Sequence, residues 1–160
     1  MILLLVPILT FSQYIVPEVE NKPILDGRWE DIWKSALEID LGKEIRKLRI
    51  LSDGKEFFLL VKLRRNALYY VGRSFYFGVS IGKSCDEFSE EILIPFKIWK
   101  GRAYIFEKDE YGSKITGFMG VGLGNYLELS LKGEKGTLCL FILNSRNGEI
   151  IERYGLKTTW

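Results

Sequence analysis

Short segments rich in β-branched and aromatic residues recur along the chain, and Gly, Asn or Asp residues separate them. Such segments are typical of β-strands, and their regular recurrence with little helical patterning predicts an all-β fold. The strand candidates are residues 48–52, 56–63, 74–81, 91–98, 102–107, 114–119, 126–132 and 137–143. We expect a single antiparallel β-sandwich, with a barrel as the alternative because strand counts do not determine how sheets close.

Two dipeptides indicate tight hairpin turns. Asp53-Gly54 and Asn147-Gly148 contain residues that accept a positive backbone φ. Two-residue hairpin loops require this conformation, and they join antiparallel neighbours in one sheet. We therefore expect a hairpin at each position.

The order of polar and apolar residues predicts which strand faces are buried. In residues 126–132, polar residues such as Glu128 and Ser130 alternate with leucines, so we expect one face in solvent and one on a core. Residues 57–61, FFLLV, are apolar on both faces. This run predicts an interior strand that is covered on both sides.

Only residues 27–34 have a helical pattern. Asp26 precedes them and could cap a first turn by accepting backbone N–H bonds. Ile32, Trp33 and Ala36 are spaced so that they could face the core together. We expect one short helical turn here.

Composition excludes several classes of function. The chain has 160 residues, and we expect residues 13–160 to form a single domain. It contains no histidine, which removes imidazole bases, Ser-His-Asp and Cys-His systems and nearly every common zinc site. No spacing distinguishes a catalytic acid and a nucleophile among its 21 Asp and Glu residues, so we expect no enzyme. The formal net charge of +2 disfavours nucleic acid as a partner.

The amino-terminal residues 1–12 have the pattern of a secretory signal peptide. Residues 2–9, ILLLVPIL, are apolar. Thr10 and Ser12, which have small side chains, precede a possible cleavage site after Ser12. The basic n-region is missing, and a translation start a few residues upstream would supply it. The alternative is an apolar first strand. The apolar run is too short to span a bilayer, and no longer run follows. We expect an exported protein, located in the periplasm, on the cell surface or outside the cell, with no transmembrane segment in the mature chain.

The two cysteines leave two alternatives open. Cys85 and Cys139 could form one disulfide in an exported protein, or both could be unpaired. Cys139 lies in the apolar stretch TLCLFIL, where a buried unpaired thiol is the ordinary expectation. We therefore favour unpaired thiols.

Residues 23–36, PILDGRWEDIWKSA, resemble the opening of the family 9 carbohydrate-binding modules and the wider DOMON-like sandwiches. The matching residues are Asp26, Gly27, Asp31, Trp33 and Ala36. An Asp-Gly turn that leads into a short helical turn would place Trp33 as a plug at one end of the fold. We expect Asp26, Gly27 and Trp33 to be structural.

The resemblance covers about residues 22–160. Residues 49–61, 126–131 and 141–148 are similar to the family's strand–turn–strand unit, its Glu-bearing strand and its late strand with a turn. At residues 69–76 the chain keeps the aromatics of sugar-binding members and lacks their acids. The resemblance implies a non-catalytic exported module that binds a glycan.

The resemblance also implies a set of ligand-binding residues. Sugar sites on β-sandwiches stack aromatic side chains on pyranose rings and use polar groups to bind the hydroxyls. The position before a strand that the family uses for stacking holds Tyr69 and Tyr70, with Arg73 nearby, and Trp160 would form the opposite wall. Asn144 is a further candidate hydroxyl partner. The alternative is a cell-envelope structural or protein-interaction domain, whose sheet edge or exposed aromatics contact a protein.

No cofactor is expected. Some DOMON domains hold haem between axial side chains, and the lack of histidine argues against haem here. The acidic residues of 86–91 could supply oxygen ligands to calcium, but they lack the spacing of an EF-hand, and a solvated loop is the ordinary interpretation.

Overall fold

The computed structural model describes the backbone of residues 13–70, 75–82, 92–95, 97–99, 102–110, 113–119, 125–132 and 137–159. The strands within these residues are β1 Tyr14–Ile15, β2 Leu37–Asp40, β3 Ile45–Ser52, β4 Glu56–Leu63, β5 Phe75–Gly82, β6 Ile92–Pro95, β7 Lys97–Trp99, β8 Arg102–Glu110, β9 Ser113–Met119, β10 Tyr126–Lys132, β11 Thr137–Arg146 and β12 Glu149–Thr159. The described helices are a 3₁₀ helix, Asp31–Ser35, and α1, Ala67–Tyr70. The predicted all-β class is confirmed. The predicted signal peptide, residues 1–12, lies outside the described residues.

The strands form two sheets. One has the order β1-β12-β11-β5-β6, and the other has the order β2-β3-β4-β10-β9-β8-β7. The β1–β12 pair is parallel, and the other strand pairs are antiparallel. Within the described residues, no helix has the length and the apolar character that crossing a membrane requires.

Several predicted strands match the observed ones. The predictions for β4 and β10 have the observed bounds. The single strand predicted at 91–98 is wrong, since β6 pairs with β5 in one sheet and β7 pairs with β8 in the other. The short strands β1 and β2 and the long strand β12 were not predicted from the pattern.

Both predicted hairpin turns are confirmed. Gly54 has a φ of 86° in the turn between β3 and β4. Asn147 and Gly148 have φ values of 53° and 79° in the turn between β11 and β12. Two successive positive φ values are those of a type I′ turn, whose twist matches that of the flanking strands.

The helical turn is shorter than predicted and begins later. Asp26 Oδ1 accepts a 2.9 Å hydrogen bond from the backbone N–H of Arg28, which closes an Asx turn rather than capping a helix. Gly27 follows with a φ of 73°, in the left-handed region. Because this backbone cannot continue into a helix, the 3₁₀ helix starts only at Asp31.

Buried side chains cover both faces of β4. One core cluster contains Leu59 and Val61 of β4 together with Leu127 of β10 and Leu156 of β12. A second cluster contains Phe58 and Leu60 of β4 with Trp33. The predicted covering of β4 on both sides is confirmed.

The prediction of a solvent face on β10 is wrong. Glu128 has no exposure, and Ser130 is 8% exposed. The segment that carries Trp33 covers this face, and the indole N–H of Trp33 donates a hydrogen bond to Glu128 there. Alternation alone reports that a strand has two unlike faces, but another part of the chain can cover the polar one.

Cys139 lies on β11, is fully buried and is disulfide-bonded. The chain has one other cysteine, Cys85, which lies outside the described residues. The expectation of an unpaired Cys139 is therefore wrong. An apolar stretch of sequence predicts that Cys139 is buried, but it does not predict whether another cysteine lies close enough to form a disulfide.

Candidate functional site

One buried carboxylate holds residues 26–33 against the seven-stranded sheet. Oε2 of Glu128 accepts hydrogen bonds from the backbone N–H groups of Asp26, at 2.7 Å, and Gly27, at 2.6 Å. Oε1 accepts a 3.0 Å hydrogen bond from the indole N–H of Trp33. Because the carboxylate binds both ends of the segment, the residues between them, including Trp29, are kept at a fixed place on the sheet.

The environment of Glu128 also sets its protonation. Burial raises the pKa of Glu128 to about 7, although the hydrogen bonds from Gly27, Asp26 and Trp33 favour the ionised form. Its side chain has no exposure to solvent. Glu128 therefore positions the segment above it and does not contact a ligand in solution.

Trp29 is the exposed aromatic residue of this segment. Its side chain is 38% exposed, and its ring centroid lies 6.3 Å from that of Tyr126, with an angle of 43° between the planes. The guanidinium carbon of Arg49 lies 4.5 Å from the Trp29 ring centroid. Arg49 is held in turn by a 2.8 Å bond from Nη1 to the carbonyl of Trp33 and by an ion pair with Glu38. The indole ring is thus fixed by a cation–π contact before any ligand arrives.

Trp29 and Tyr126 border a surface depression of about 70 Å³. Its lining residues are Trp29, Lys47, Arg49, Leu60, Lys62 and Tyr126. Strand register explains the grouping, because Arg49 pairs with Leu60, and Lys62 pairs with both Lys47 and Tyr126. Side chains two residues apart on a strand share a face, so β3, β4 and β10 present these groups together.

A second depression, of about 330 Å³, adjoins the first. It is lined by Asp40, Leu41, Gly42, Arg46, Lys47 and Lys62, so Lys47 and Lys62 belong to both. Lys47 Nζ lies 2.6 Å from Glu38 and 3.5 Å from Asp40, and the hydrogen bond to Glu38 raises the pKa of Lys47. The combined surface has aromatic groups at one end and charged groups at the other.

The sequence-predicted stacking residues lie elsewhere. Tyr69 is half-buried and packs edge-to-face on Tyr70, with ring centroids 5.3 Å apart. Tyr70 has no exposure, and its hydroxyl donates a 2.8 Å hydrogen bond to Glu44 and accepts one of 3.2 Å from the backbone N–H of Arg65. The prediction that Tyr70 is an exposed stacking residue is therefore wrong, because its ring completes the core cluster.

The side chains of the other predicted ligand residues belong to the part of the chain that is not described. Arg73 and Trp160 lie outside the described residues, as does the acidic segment 86–91. Asn144 lies on β11, opposite Glu152 of β12 and Phe77 of β5, and its side chain is outside the described part. In the part of the chain that is described, no three side chains of the His, Cys, Asp and Glu types are grouped to hold a metal ion.

Trp33, Gly27 and Asp26 take part in the Glu128 contact, in keeping with the structural role expected for them. Sequence reasoning missed Trp29, Tyr126 and Lys62 as site residues. One signal, strand alternation, could have found two of them: Tyr126 shares a strand face with Glu128, and Lys62 shares one with Leu60. Nothing local distinguishes Trp29, four residues before Trp33, as the exposed member of the pair.

Comparisons of the chain with protein-family models, with curated proteins and with solved structures found no match. The candidate site therefore depends on the geometry described above.

Proposed function

We propose that the protein is a non-catalytic, exported carbohydrate-binding module with a DOMON-like β-sandwich, and that a sugar binds at the depression bordered by Trp29 and Tyr126. The observation that carries this proposal is the pair itself: an exposed indole, already fixed by Arg49, stands beside a phenol ring. A pyranose ring has apolar C–H faces and a polar rim. Fixed aromatic rings contact the faces, and nearby charged groups bind the rim.

The arrangement of the core supports a sandwich. Leu156 of the five-stranded sheet belongs to the same core cluster as Leu59 and Leu127 of the seven-stranded sheet. Glu152, also on β12, accepts a 2.7 Å hydrogen bond from the backbone N–H of Ile45 at the start of β3. These contacts are those expected where two sheets pack face to face around one core.

Export is supported by the disulfide of Cys139. Disulfides form and persist mainly in oxidising compartments, which exported proteins enter. The apolar run of residues 2–9 is the second argument, and it comes from the sequence alone.

Calorimetric titration of the purified protein with a panel of neutral and acidic oligosaccharides tests the function. We expect saturable binding that Trp29→Ala weakens about fivefold or more, since aromatic stacking contributes about 1 kcal/mol beyond the buried area. Tyr69→Ala is the matched control, because Arg65 lies 4.2 Å over the Tyr69 ring as Arg49 lies over Trp29. We expect this control to bind as the parent protein does.

Two results would overturn the proposal. Folded protein that binds no saccharide of the panel would refute the function. Affinity lost in Tyr69→Ala but kept in Trp29→Ala would refute the placement of the site.

A protein-interaction role is the second candidate, and one observation favours it. Ile15 is 74% exposed and lies on β1, at the end of the five-stranded order. An exposed apolar residue on a terminal strand is a place where another chain can add a strand. Sedimentation at increasing concentration checks this role, because Ile15→Lys should abolish any self-association.

A further inference from the structure

Two lysines face each other across the β3–β4 pair. Lys47 and Lys62 are direct partners in the register, and the next partner of Lys62 is Tyr126 on β10. Like charges directly opposite each other on neighbouring strands destabilise a sheet. This repulsion is offset on the Lys47 side by Glu38 and Asp40, and an anion bound at Lys62 would offset it on the other side.

The two lysines differ in their acidic neighbours. Lys47 pairs with Glu38 and Asp40. Lys62 is exposed and forms no ion pair within the described residues. Its ammonium group is therefore available to a ligand, next to the ring of Tyr126.

A β-bulge adds a third cation. The register shifts between Ile45 and Lys47, so Arg46 has no partner on β4. Strand neighbours ordinarily point to opposite faces, but a bulge redirects one of them. Arg46 and Lys47 consequently line the same depression of about 330 Å³ with Lys62. Arg46 is exposed and has no ion-pair partner in the described part of the chain.

We propose that the sugar bound at this site is an acidic saccharide, with a ring on Trp29 and Tyr126 and its carboxylates on Lys62 and Arg46. This inference rests on the proposed function and specifies its ligand class. Neighbouring strands lie about 4.8 Å apart, so the row from Tyr126 through Lys62 to Lys47 spans about 10 Å. That distance suits two consecutive sugar rings, one stacked on the aromatic pair and the next beside the cations.

The charges favour a saccharide over a nucleic acid. Asp40 and Glu38 lie beside the cations and would repel a continuous phosphate backbone. The whole chain has a formal net charge of only +2. Asp40 lines the same depression as Lys62 and Arg46, so a ligand with separated carboxylates fits it better than one with a continuous row of phosphates.

The test compares two ligands that share one sugar backbone, one with free carboxylates and one in which methyl esterification has removed their charge. The purified protein is titrated calorimetrically with oligogalacturonate and with the same oligomer after full methyl esterification, and the pair is repeated with an oligoglucuronate. We expect the acids to bind about tenfold tighter or more than the esters, since hydrogen bonds between charged partners are stronger than those to a neutral ester. Added salt should weaken the binding of the acids and leave the binding of the esters little changed.

Single variants locate the effect. Lys62→Gln and Arg46→Gln should each remove a substantial part of the difference in affinity between acid and ester, because each deletes one of the two cations that bind the carboxylates. Lys55→Gln, in the exposed turn between β3 and β4, is the matched control and should bind as the parent does. Without ligand, Lys62→Gln should melt at a temperature equal to or above that of the parent, because it relieves the repulsion from Lys47.

The outcomes separate this inference from the function it rests on. Equal affinity for acid and ester, with loss in Trp29→Ala, would refute the acidic class and leave the sugar site standing. No binding of any saccharide by the folded protein would refute both. Binding of inorganic phosphate or single-stranded DNA as tight as that of the acids would also refute the inference, because the site would then recognise charge without the sugar.

Discussion

The indole N–H of Trp33 donates a hydrogen bond of 3.0 Å to the carboxylate of Glu128, although the two residues are 95 positions apart in the chain. The same carboxylate accepts hydrogen bonds from the backbone N–H groups of Asp26 and Gly27. One side chain in the middle of the seven-stranded sheet thereby fixes the segment that carries Trp29. The candidate site depends on this interior contact as much as on its own surface groups.

Removing the Glu128 carboxylate should destabilise the fold. Glu128→Ala leaves the buried N–H groups of Gly27 and Trp33 without their acceptor, whereas the Asp26 N–H keeps a 3.0 Å hydrogen bond to the carbonyl of Ile24. Each lost acceptor costs about 1–3 kcal/mol, so we expect a loss on the order of 2 kcal/mol or more. Denaturant unfolding measures it. Glu149→Ala, at the exposed start of β12, is the control and should change stability by less than about 0.5 kcal/mol. Equal losses in the two variants would show that Glu128 does not hold the segment.

Stability should depend on pH through Glu128. Its pKa is raised by burial from an ordinary 4.5 to about 7 in the folded protein, so the folded state holds the proton more tightly than the unfolded state. Protonated Glu128 therefore contributes to the free energy of unfolding. This contribution, on the order of 3 kcal/mol, is complete below about pH 4.5 and is lost as pH rises through 7. Unfolding of the parent and of Glu128→Gln at several pH values checks this. Parallel profiles for the two proteins would contradict it.

Tyr70 should matter for stability and not for sugar binding. Tyr70→Phe removes a buried hydroxyl that contacts Glu44 and the Arg65 backbone, so we expect a loss of about 1–3 kcal/mol. The affinity for a bound saccharide should stay within twofold of the parent, since the ring has no exposed surface. Thermal melts and calorimetry on the same samples give both values. A large drop in affinity without a drop in melting temperature would restore Tyr70 as a ligand residue.

Reduction of the disulfide should weaken the fold. Dithiothreitol should lower the free energy of unfolding by about 2–4 kcal/mol, because the cross-link restricts the unfolded chain. Cys139→Ala is the control, since its stability should not respond to the reductant. Peptide mapping of the oxidised protein should recover Cys139 joined to Cys85, the one other cysteine. A parent protein that is indifferent to dithiothreitol would contradict the disulfide.

Local rules predicted much of the strand pattern. The bounds of β4 and β10 followed from apolar runs and alternation, and the turns at Gly54 and Asn147 followed from the need for positive φ. These features depend on neighbours in the chain. The helical turn was misplaced because the Asx turn of Asp26 competes with helix formation, and both outcomes use the same residue types.

The site was less predictable for a physical reason. Tyr70 and Trp29 are both aromatic residues in connecting segments, and composition does not distinguish them. Tyr70 completes a core and Trp29 is exposed, because different distant groups contact them. Glu44 accepts a hydrogen bond from the Tyr70 hydroxyl, and Glu128 holds the segment that carries Trp29.

The sequence by itself determined the all-β class, most strand positions and the turns that join them, since side-chain alternation and backbone φ preferences act between neighbouring residues. Only the tertiary structure decided which strand faces are covered, which aromatic rings remain exposed and which cationic side chains line the same depression. Those outcomes depend on contacts between segments far apart in the chain, such as Trp33 with Glu128 and Lys62 with Tyr126. These contacts exist only once the sheets have formed, because strand pairing brings the distant segments together.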